Sequence, residues 1–476
     1  MTTLVWFRQD LRLSDNGALS WAAARGPVVP VYIDDAGIGS DVRPLGGASR
    51  WWVHHSLTAL QTALGGLVVL RGDPAQLLAD LARRTGATAV AWNRCYEPYA
   101  IARDKSLKIG LTTLGLEVMS CNGALLHEPW DVETGSGGPF KVYSPFWRAA
   151  QRRPVAKTLS RPAFEVALPT GQHQGLAALG LLPKKPDWAA AWPGIWTPGE
   201  AGAVQRLEAF LASELDGYAE QRNRPDLPNV SRLSPHLHFG EISPRQIWGR
   251  VQAIVEERAG TRADGEKFLA EIGWREFATH LLYHFPTLPT RNWKPAFDAY
   301  PWDDNPAALQ AWQRGLTGYP MVDAGMRELW ATGYMHNRVR MIAASFLVKH
   351  LRIHWRQGEA WFWDTLVDAD LANNAASWQW IAGSGADAAP YFRIFNPMEQ
   401  GRRFDPDGIY VRRWCPELKR LPTAVLHAPF EAPREILAAA GVVLGTTYPH
   451  PIVGHAEARA AALAGYAAVK SAGAMP

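Results

Sequence analysis

Cysteine is scarce. Cys95, Cys121 and Cys415 are scattered through 476 residues, an odd set that supplies neither a disulfide framework nor a zinc site. No apolar run reaches the roughly 20 residues of a membrane-spanning helix, so no membrane partner is expected. The opening MTTLVWFRQDLRLSDN lacks the basic and apolar regions of a secretory signal, and a cytoplasmic location follows as the expectation. The Gly-x-Gly-x-x-Gly fingerprint is missing after the first apolar run, which removes support for a dinucleotide bound there. Charge of one sign is also lacking. With 49 Lys and Arg against 45 Asp and Glu the net charge is +4, which permits an anionic partner without requiring one. The C-terminal stretch is Ala-rich and short, with no room for a long signalling tail.

Tryptophan is abundant instead, with 22 residues, most of them after residue 180. Indoles in such number serve core packing or stacking on bases and cofactors. At 47% hydrophobic and 476 residues the chain affords a large core and two or more domains.

Over residues 1–127 short apolar runs alternate with amphipathic stretches. Leu4–Phe7, Val28–Ile33, Leu67–Leu70, Ala87–Trp92 and Leu116–Ser120 read as buried strands, and Gly47–Leu64 and Pro74–Thr85 as helices. That alternation predicts an α/β domain: a parallel sheet with helices on both faces. From 128 to 199 the pattern breaks down into a Gly- and Pro-marked linker that keeps Phe140, Tyr143, Phe146 and Trp147. Residues 200–476 read as an all-α domain, with helices over Gly202–Leu215, Gly265–Tyr283, Pro306–Arg314, Met321–Ala331, Asn337–His350 and Gly358–Leu366.

Four segments concentrate chemistry. In DADLANNAASWQW (368–380), Asp370, Asn374 and Trp378 are spaced four apart and share a helix face. A capped helix start, a metal site on Asp368-x-Asp370 and a wall for a flat polar ligand all fit. Ser231-Arg232-Leu233-Ser234-Pro235 offers hydroxyls and an Arg before a helix start, suiting either an anion or an ordinary cap. In EIGWREF, Glu271, Trp274 and Arg275 share one face, as a surface ion pair beside a Trp or as a base-edge acceptor, a stacking ring and a phosphate contact. In MHNRVRM, Asn337 and Met341 lie four apart beside Arg338, and His336 reads as a structural hydrogen-bonder.

Taken in order with TGYPMVDAGMREL, ASFLVKHL, DAAPYFRIFNPMEQGRRFD and the N-terminal WFRQDLRLSDN, these segments resemble the photolyase/cryptochrome flavoproteins along nearly the whole chain. The resemblance implies an antenna domain over 1–127, a linker over 128–199 and a helical FAD- and DNA-binding domain over 200–476. It implies light-driven repair of cyclobutane pyrimidine dimers by an electron from excited reduced FAD, a carbon–carbon lyase reaction on damaged DNA by a monomer without a metal. The alternatives are a blue-light photoreceptor without repair and a nucleotide-dependent transferase.

By the resemblance, Tyr218 and Val230, Ser231, Arg232, Leu233 and Ser234 line the FAD phosphates and ribose. Val230 stands where relatives have Thr, so a contact there comes from its backbone N–H. Phe268 stands where many relatives carry Trp. Asp368, Ala369 and Asp370 hold the flavin, with Arg340 pairing Asp368, and Asn374 faces flavin N5. A neutral amide can bond N5 of the reduced anion without repelling it, where plant cryptochromes carry Asp. Glu271, Trp274, Arg275, Asn337, Arg338, Met341, Trp380 and Gln400 match lesion or strand contacts, photolyases being among the enzymes that flip a base from the stack. Trp378, Trp355 and Trp302 match the family's electron-supplying tryptophan chain. The acid that holds folate in one bacterial branch falls on Ala100. The wording SRWWVHHSL leans to the class III branch, where methenyltetrahydrofolate is the expected antenna and 8-hydroxy-5-deazaflavin or no antenna the alternatives, with Arg50 and Glu97 loosely placed near it.

Overall fold

Five strands form one parallel sheet: β1 (Thr3–Phe7), β2 (Val28–Asp34), β3 (Val68–Arg71), β4 (Ala89–Asn93) and β5 (Glu117–Cys121), in the order β3-β2-β1-β4-β5. The computed structural model describes residues 1–35, 43–169, 175–388 and 392–473, so residues 389–391 of the DAAPYF motif lie outside the described residues. Each strand is followed by a helix: α1 (Gly17–Ala23), α2 (Gly47–Leu64), α3 (Pro74–Thr85), α4 (Pro98–Thr113) and, after a longer connection, α5 (Tyr143–Gln151). Burial on both faces explains the continuous apolar strands. Leu4, Trp6, Val31 and Trp92 meet Leu78 and Leu81 of α3 and Leu107 and Leu111 of α4 on one face. Val5 and Phe7 alternate to the other face and are equally buried.

Beyond residue 199 the chain is helical. Its elements are α6 (Glu200–Ala209), α7 (Tyr218–Gln221), α8 (Ser234–His238), α9 (Pro244–Glu257), α10 (Arg262–His284), α11 (Pro306–Gln313), α12 (Pro320–Thr332), α13 (Asn337–Ser345), α14 (Trp355–Thr365) and α15 (Leu371–Ala382), then shorter helices and a last one at His455–Gly473. The predicted helices over 202–215 and 337–350 end differently from an α-helix. Their last turns, Phe210–Glu214 and Phe346–His350, widen into π-helix. Among the described residues no helix is long and apolar enough to cross a membrane, and no cluster of ligating side chains could hold a metal.

The chain divides into two compact units that interleave in sequence. One comprises Met1–Tyr218, Val230–Pro286 and Val367–Ala372, the other Ala219–Asn229, Thr287–Leu366 and Asn373–Pro476. Within the first unit, the sheet and the helical region share a buried polar network. Arg12 is fully buried and donates to the carbonyls of Gly240, Asp15 and Gly123 at 2.7–2.8 Å. Glu241 accepts from Trp52 Nε1 at 2.9 Å and pairs with His236.

Glu276 of α10 holds the loop after β5, its Oε2 accepting the backbone N–H of Leu126 (3.0 Å) and His127 (3.3 Å). Burial pushes this carboxyl up from 4.5 to about 7, against the pull of Arg275 and the two N–H groups. The folded state therefore binds the proton more tightly than the unfolded chain. Its contribution is full below about pH 4.5 and lost as pH rises through about 7. Glu276→Gln keeps an oxygen for both N–H groups and removes the charge. Thermal unfolding should show the variant melting above the parent protein at about pH 8, the gap closing toward about pH 5. A gap independent of pH would mean that Glu276 does not titrate in this window.

Candidate functional site

The first unit carries the loop before α8 and the segment before α15. Arg206 Nε donates to Ser231 O at 2.8 Å, and Ser231 Oγ accepts Leu233 N at 3.4 Å, so the loop is tied at its middle. Between them Arg232 adopts a left-handed backbone, φ 52°, which costs a non-glycine residue about 1 kcal/mol or more. Its guanidinium lies 4.5 Å over the Trp196 ring. Ser234 Oγ donates to Asp368 Oδ2 at 2.5 Å, which fastens Asp368, Ala369 and Asp370 to the start of α8. Asp370 Oδ2 is 3.5 Å from Nδ1 of His238, whose two ring nitrogens are buried without hydrogen-bond partners. Val230 is half-buried. Tyr218 and Phe268 pack edge to face at 5.5 Å, and Phe210 meets both. Hydroxyls, a guanidinium, carboxylates and a buried imidazole with spare donor capacity fit the phosphates, ribose and ring edge of a flavin nucleotide.

On α10 the predicted face is present but its members diverge. Trp274 is 36% exposed and stacks flat on Tyr143, with centroids 3.7 Å apart and planes 8° apart. Tyr143 is held in turn by its hydroxyl, which donates to Ala270 O at 2.5 Å. One face of the indole is thus covered and the ring fixed. Glu271 lies 3.6 Å from Lys267. Arg275 turns inward, its Nη1 donating to Ala124 O at 2.6 Å.

In the second unit His336 caps α13, its Nδ1 accepting Arg338 N at 3.2 Å. Burial and the guanidinium groups of Arg338, Arg340 and Arg222 hold its pKa down to about 3, so it is a neutral cap as the sequence suggests. Asn337 is exposed at the start of α13 and Met341 half-buried one turn on. Arg338 donates to Asn223 Oδ1 at 2.8 Å and lies over Phe404. Burial, then Arg222, Arg403 and Arg393, lower its pKa to about 10. A guanidinium with three others near it suits an anion such as phosphate. Arg340 Nε donates to Met335 O at 2.7 Å. Gln400 is half-buried on the helix Pro397–Phe404.

α15 sorts its side chains by direction. Asn374 and Trp378, one turn apart, both meet α14. Asn374 Nδ2 donates to Glu359 Oε1 at 2.8 Å and to Glu359 O at 3.0 Å. With both amide hydrogens committed, Oδ1 is the end left to accept from a ligand. Trp378 packs on Phe362 (5.0 Å) and Trp312 (6.2 Å). Trp380, two residues on, points elsewhere, its Nε1 donating to Asp387 O at 3.1 Å. Trp355 is fully buried with Nε1 on Asn292 Oδ1 at 2.9 Å, and Trp302 is half-exposed. Glu359 and Tyr143 were not among the sequence candidates. Tyr143 had a signal, an aromatic kept in a linker, whereas Glu359 had none.

The sheet's switch point lies between β1 and β4, where open α/β sheets take ligands. Here the described side chains pair with one another. Arg8 Nη1 holds both oxygens of Asp104 at 2.8 Å, Arg103 bridges Asp104 and Asp35, and Gln9 donates to Glu97 Oε1 at 2.7 Å. Ala100 is buried there. A separate open cavity of about 530 Å3 lies between α2 and the segment before α6, walled by Trp51, His55, Trp196 and Pro198. Arg50, on the same helix, donates to Gly180 O at 2.7 Å.

Residues 3–164 match the family described as DNA photolyase, and residues 268–468 that described as the FAD binding domain of DNA photolyase. The chain is 54% identical to the deoxyribodipyrimidine photo-lyase of Agrobacterium fabrum over 98% of each protein. It is 39% identical to cryptochrome-2 of Arabidopsis thaliana, over 95% of this chain and 76% of that one. The crystal structure of a class III photolyase from Agrobacterium tumefaciens superposes with a TM-score of 0.95 at 53% identity, covering 99% of this chain and 98% of the other.

Gly358 leaves the gap that Trp378 fills, since a Cβ there would sit 2.1 Å from the edge of the indole. Alanine is the better helix former by about 1 kcal/mol. Gly358→Ala should nevertheless destabilise the protein by about 1–3 kcal/mol through overpacking. Denaturant unfolding checks this, and a stabilised variant would mean that the indole moves freely.

Proposed function

The chain belongs to the DNA photolyase family, and from that premise we propose that it is a deoxyribodipyrimidine photo-lyase that splits cyclobutane pyrimidine dimers in DNA under light. The observation that carries the reading is Asn374, an uncharged amide oriented by Glu359 so that it presents an acceptor oxygen. Closer similarity to a photo-lyase than to a cryptochrome supports the same choice. Bound in its reduced form, FAD supplies the light-driven electron that opens the dimer.

The protein's own groups bind, orient and exclude. Ser231, Arg232 and Ser234, with Tyr218, Val230, Leu233 and Phe268, hold the phosphate and ribose portion. Asp368, Ala369 and Asp370 hold the ring portion, with Arg340 answering the charge of Asp368. The amide of Asn374 serves N5. For the lesion, Trp274 and Trp380 provide stacking faces, Glu271 and Asn337 accept or donate at the polar edges of the bases, and Met341 packs against them. Arg338 and Gln400 meet the strand, whereas Arg275, expected as a strand contact, spends its guanidinium on Ala124 O. Trp378, Trp355 and Trp302 reduce the cofactor when it arrives oxidised. A monomer in the cytoplasm suffices for this work.

For the antenna we favour methenyltetrahydrofolate in the Trp51–Trp196 cavity. Two indoles suit a flat pterin, and about 530 Å3 is within the usual range for a small ligand. Arg232 joins the cavity to the loop assigned to FAD, through its contact with Trp196. Dipole-coupled energy transfer falls steeply with distance, so this proximity favours the cavity over a crevice already closed by Arg8, Arg103 and Glu97.

Mixed with a dimer-containing oligonucleotide, the chemically reduced protein should restore pyrimidines under blue light and not in the dark. Retained dimers with reduced, bound FAD would instead favour a photoreceptor, and a colourless protein a transferase. Tyr143→Ala should weaken binding of dimer-containing DNA about tenfold by releasing Trp274, a loss within the 1–3 kcal/mol of one stacked base. Tyr143→Phe, which keeps the stacked ring, should bind like the parent. Fluorescence anisotropy measures both, with flavin absorbance as the control, and equal affinities for all three proteins would remove Tyr143 from the lesion site.

A further inference from the structure

Resting on the reading of Trp378, Trp355 and Trp302 as an electron path, we propose that His354 is its positioning residue, the imidazole between Trp302 and Trp355 carrying the coupling for the outermost step. The ring centroid of His354 is 4.8 Å from that of Trp302 and 5.6 Å from that of Trp355. Neither indole is loose. Trp355 is fully buried with its Nε1 on Asn292. Trp302 packs against Tyr300 at 4.5 Å. Its neighbour Asp303 donates its backbone N–H to Arg352 O at 2.8 Å and pairs with the Arg352 guanidinium at 2.6 Å. Two bonds thus pin the Trp302 segment to the residues just before His354.

His354 is held with equal firmness. It caps α14, its Nδ1 accepting Arg356 N at 3.1 Å, which leaves the proton on Nε2. Burial and the Arg356 charge lower its pKa to about 4, against the pull of Asp298, so the ring is neutral at ordinary pH and does not repel a positive hole on either indole. In the step itself one electron leaves Trp302 and fills the hole on oxidised Trp355. Trp355 returns to its neutral form and Trp302 is left as the radical cation. The imidazole is harder to oxidise than indole and ends the step unchanged, so it serves as a bridge and spacer.

The two roles of His354, cap and ring, can be separated by substitution. His354→Asn keeps a capping oxygen and removes the ring, while His354→Phe keeps a ring and removes the cap. In the flavin-loaded protein, time-resolved absorption after a light pulse should show oxidation of Trp302 slowed several-fold in the Asn variant. The Phe variant should keep the parent rate while melting at a lower temperature. In fluorotryptophan-labelled protein the fluorine resonance of Trp302, assigned with Trp302→Phe, should shift in the Asn variant and stay near its place in the Phe variant. A parent rate in the Asn variant, or equal slowing in both, would overturn the proposal. If Trp302→Phe itself leaves the radical kinetics unchanged, the electron path is wrong and the bridge falls with it. That outcome differs from failure of the bridge alone, in which Trp302→Phe slows the kinetics and His354→Asn does not.

Discussion

The hydrogen bonds from Asn374 to Glu359 are the constraint around which the second unit is arranged. An unanchored amide offers a donor or an acceptor to a ligand with nearly equal ease. Glu359 removes that freedom by taking both hydrogens, on its carboxylate and on its carbonyl. The anchor requires α14 and α15 to lie close. Gly358 permits this, because its missing side chain is the space that Trp378 occupies. The same helix pair therefore fixes the Asn374 amide and the Trp378 indole, and neither can move far without the other.

The first unit applies the same economy of parts to binding. Ser234 fastens the segment of Asp368 to the loop of Arg232, and Arg232 in turn lies over an indole of the aromatic cavity. The Ser231–Ser234 loop, the Asp368–Asp370 segment and the Trp51–Trp196 cavity are thus consecutive contacts in one packed structure. Trp274 owes its orientation to Tyr143, a residue of the connecting segment. A buried, hydrogen-bonded platform of this kind lets a ring offer one face to a ligand without first losing rotational freedom on binding.

Much of this was legible in the chain. Strands buried on both faces show as unbroken apolar runs, so Leu4–Phe7 and Val28–Ile33 fall within a residue of β1 and β2 at every end. The four-residue spacing of Asn374 and Trp378 and the two-residue offset of Trp380 translate directly into contacts with α14 and with Asp387. The rest was tertiary. α5 is nine residues with Pro145 in its first turn, too short for a periodic signal amid Gly and Pro. The π turns at Phe210–Glu214 and Phe346–His350 keep an apolar pattern indistinguishable from α-helix. Spacing put Arg275 beside Glu271, but only the packed structure turns its guanidinium to Ala124. Glu359 looked like any surface glutamate on a helix, since its partner lies on another helix. Compact units that exchange segments at 218, 230, 286, 367 and 372 leave no mark in local composition.

On the proposed reading, repair depends on an amide held in one orientation by Glu359. The most direct measurement is the yield of dimer splitting per absorbed photon by fully reduced Glu359→Leu protein, normalised to bound FAD. Leucine keeps the bulk and removes the carboxylate, so the amide of Asn374 loses one of its two anchors and is left with the backbone carbonyl of residue 359 alone. The expected result is a lower yield with unchanged affinity for dimer-containing DNA. A yield equal to that of the parent protein would contradict it.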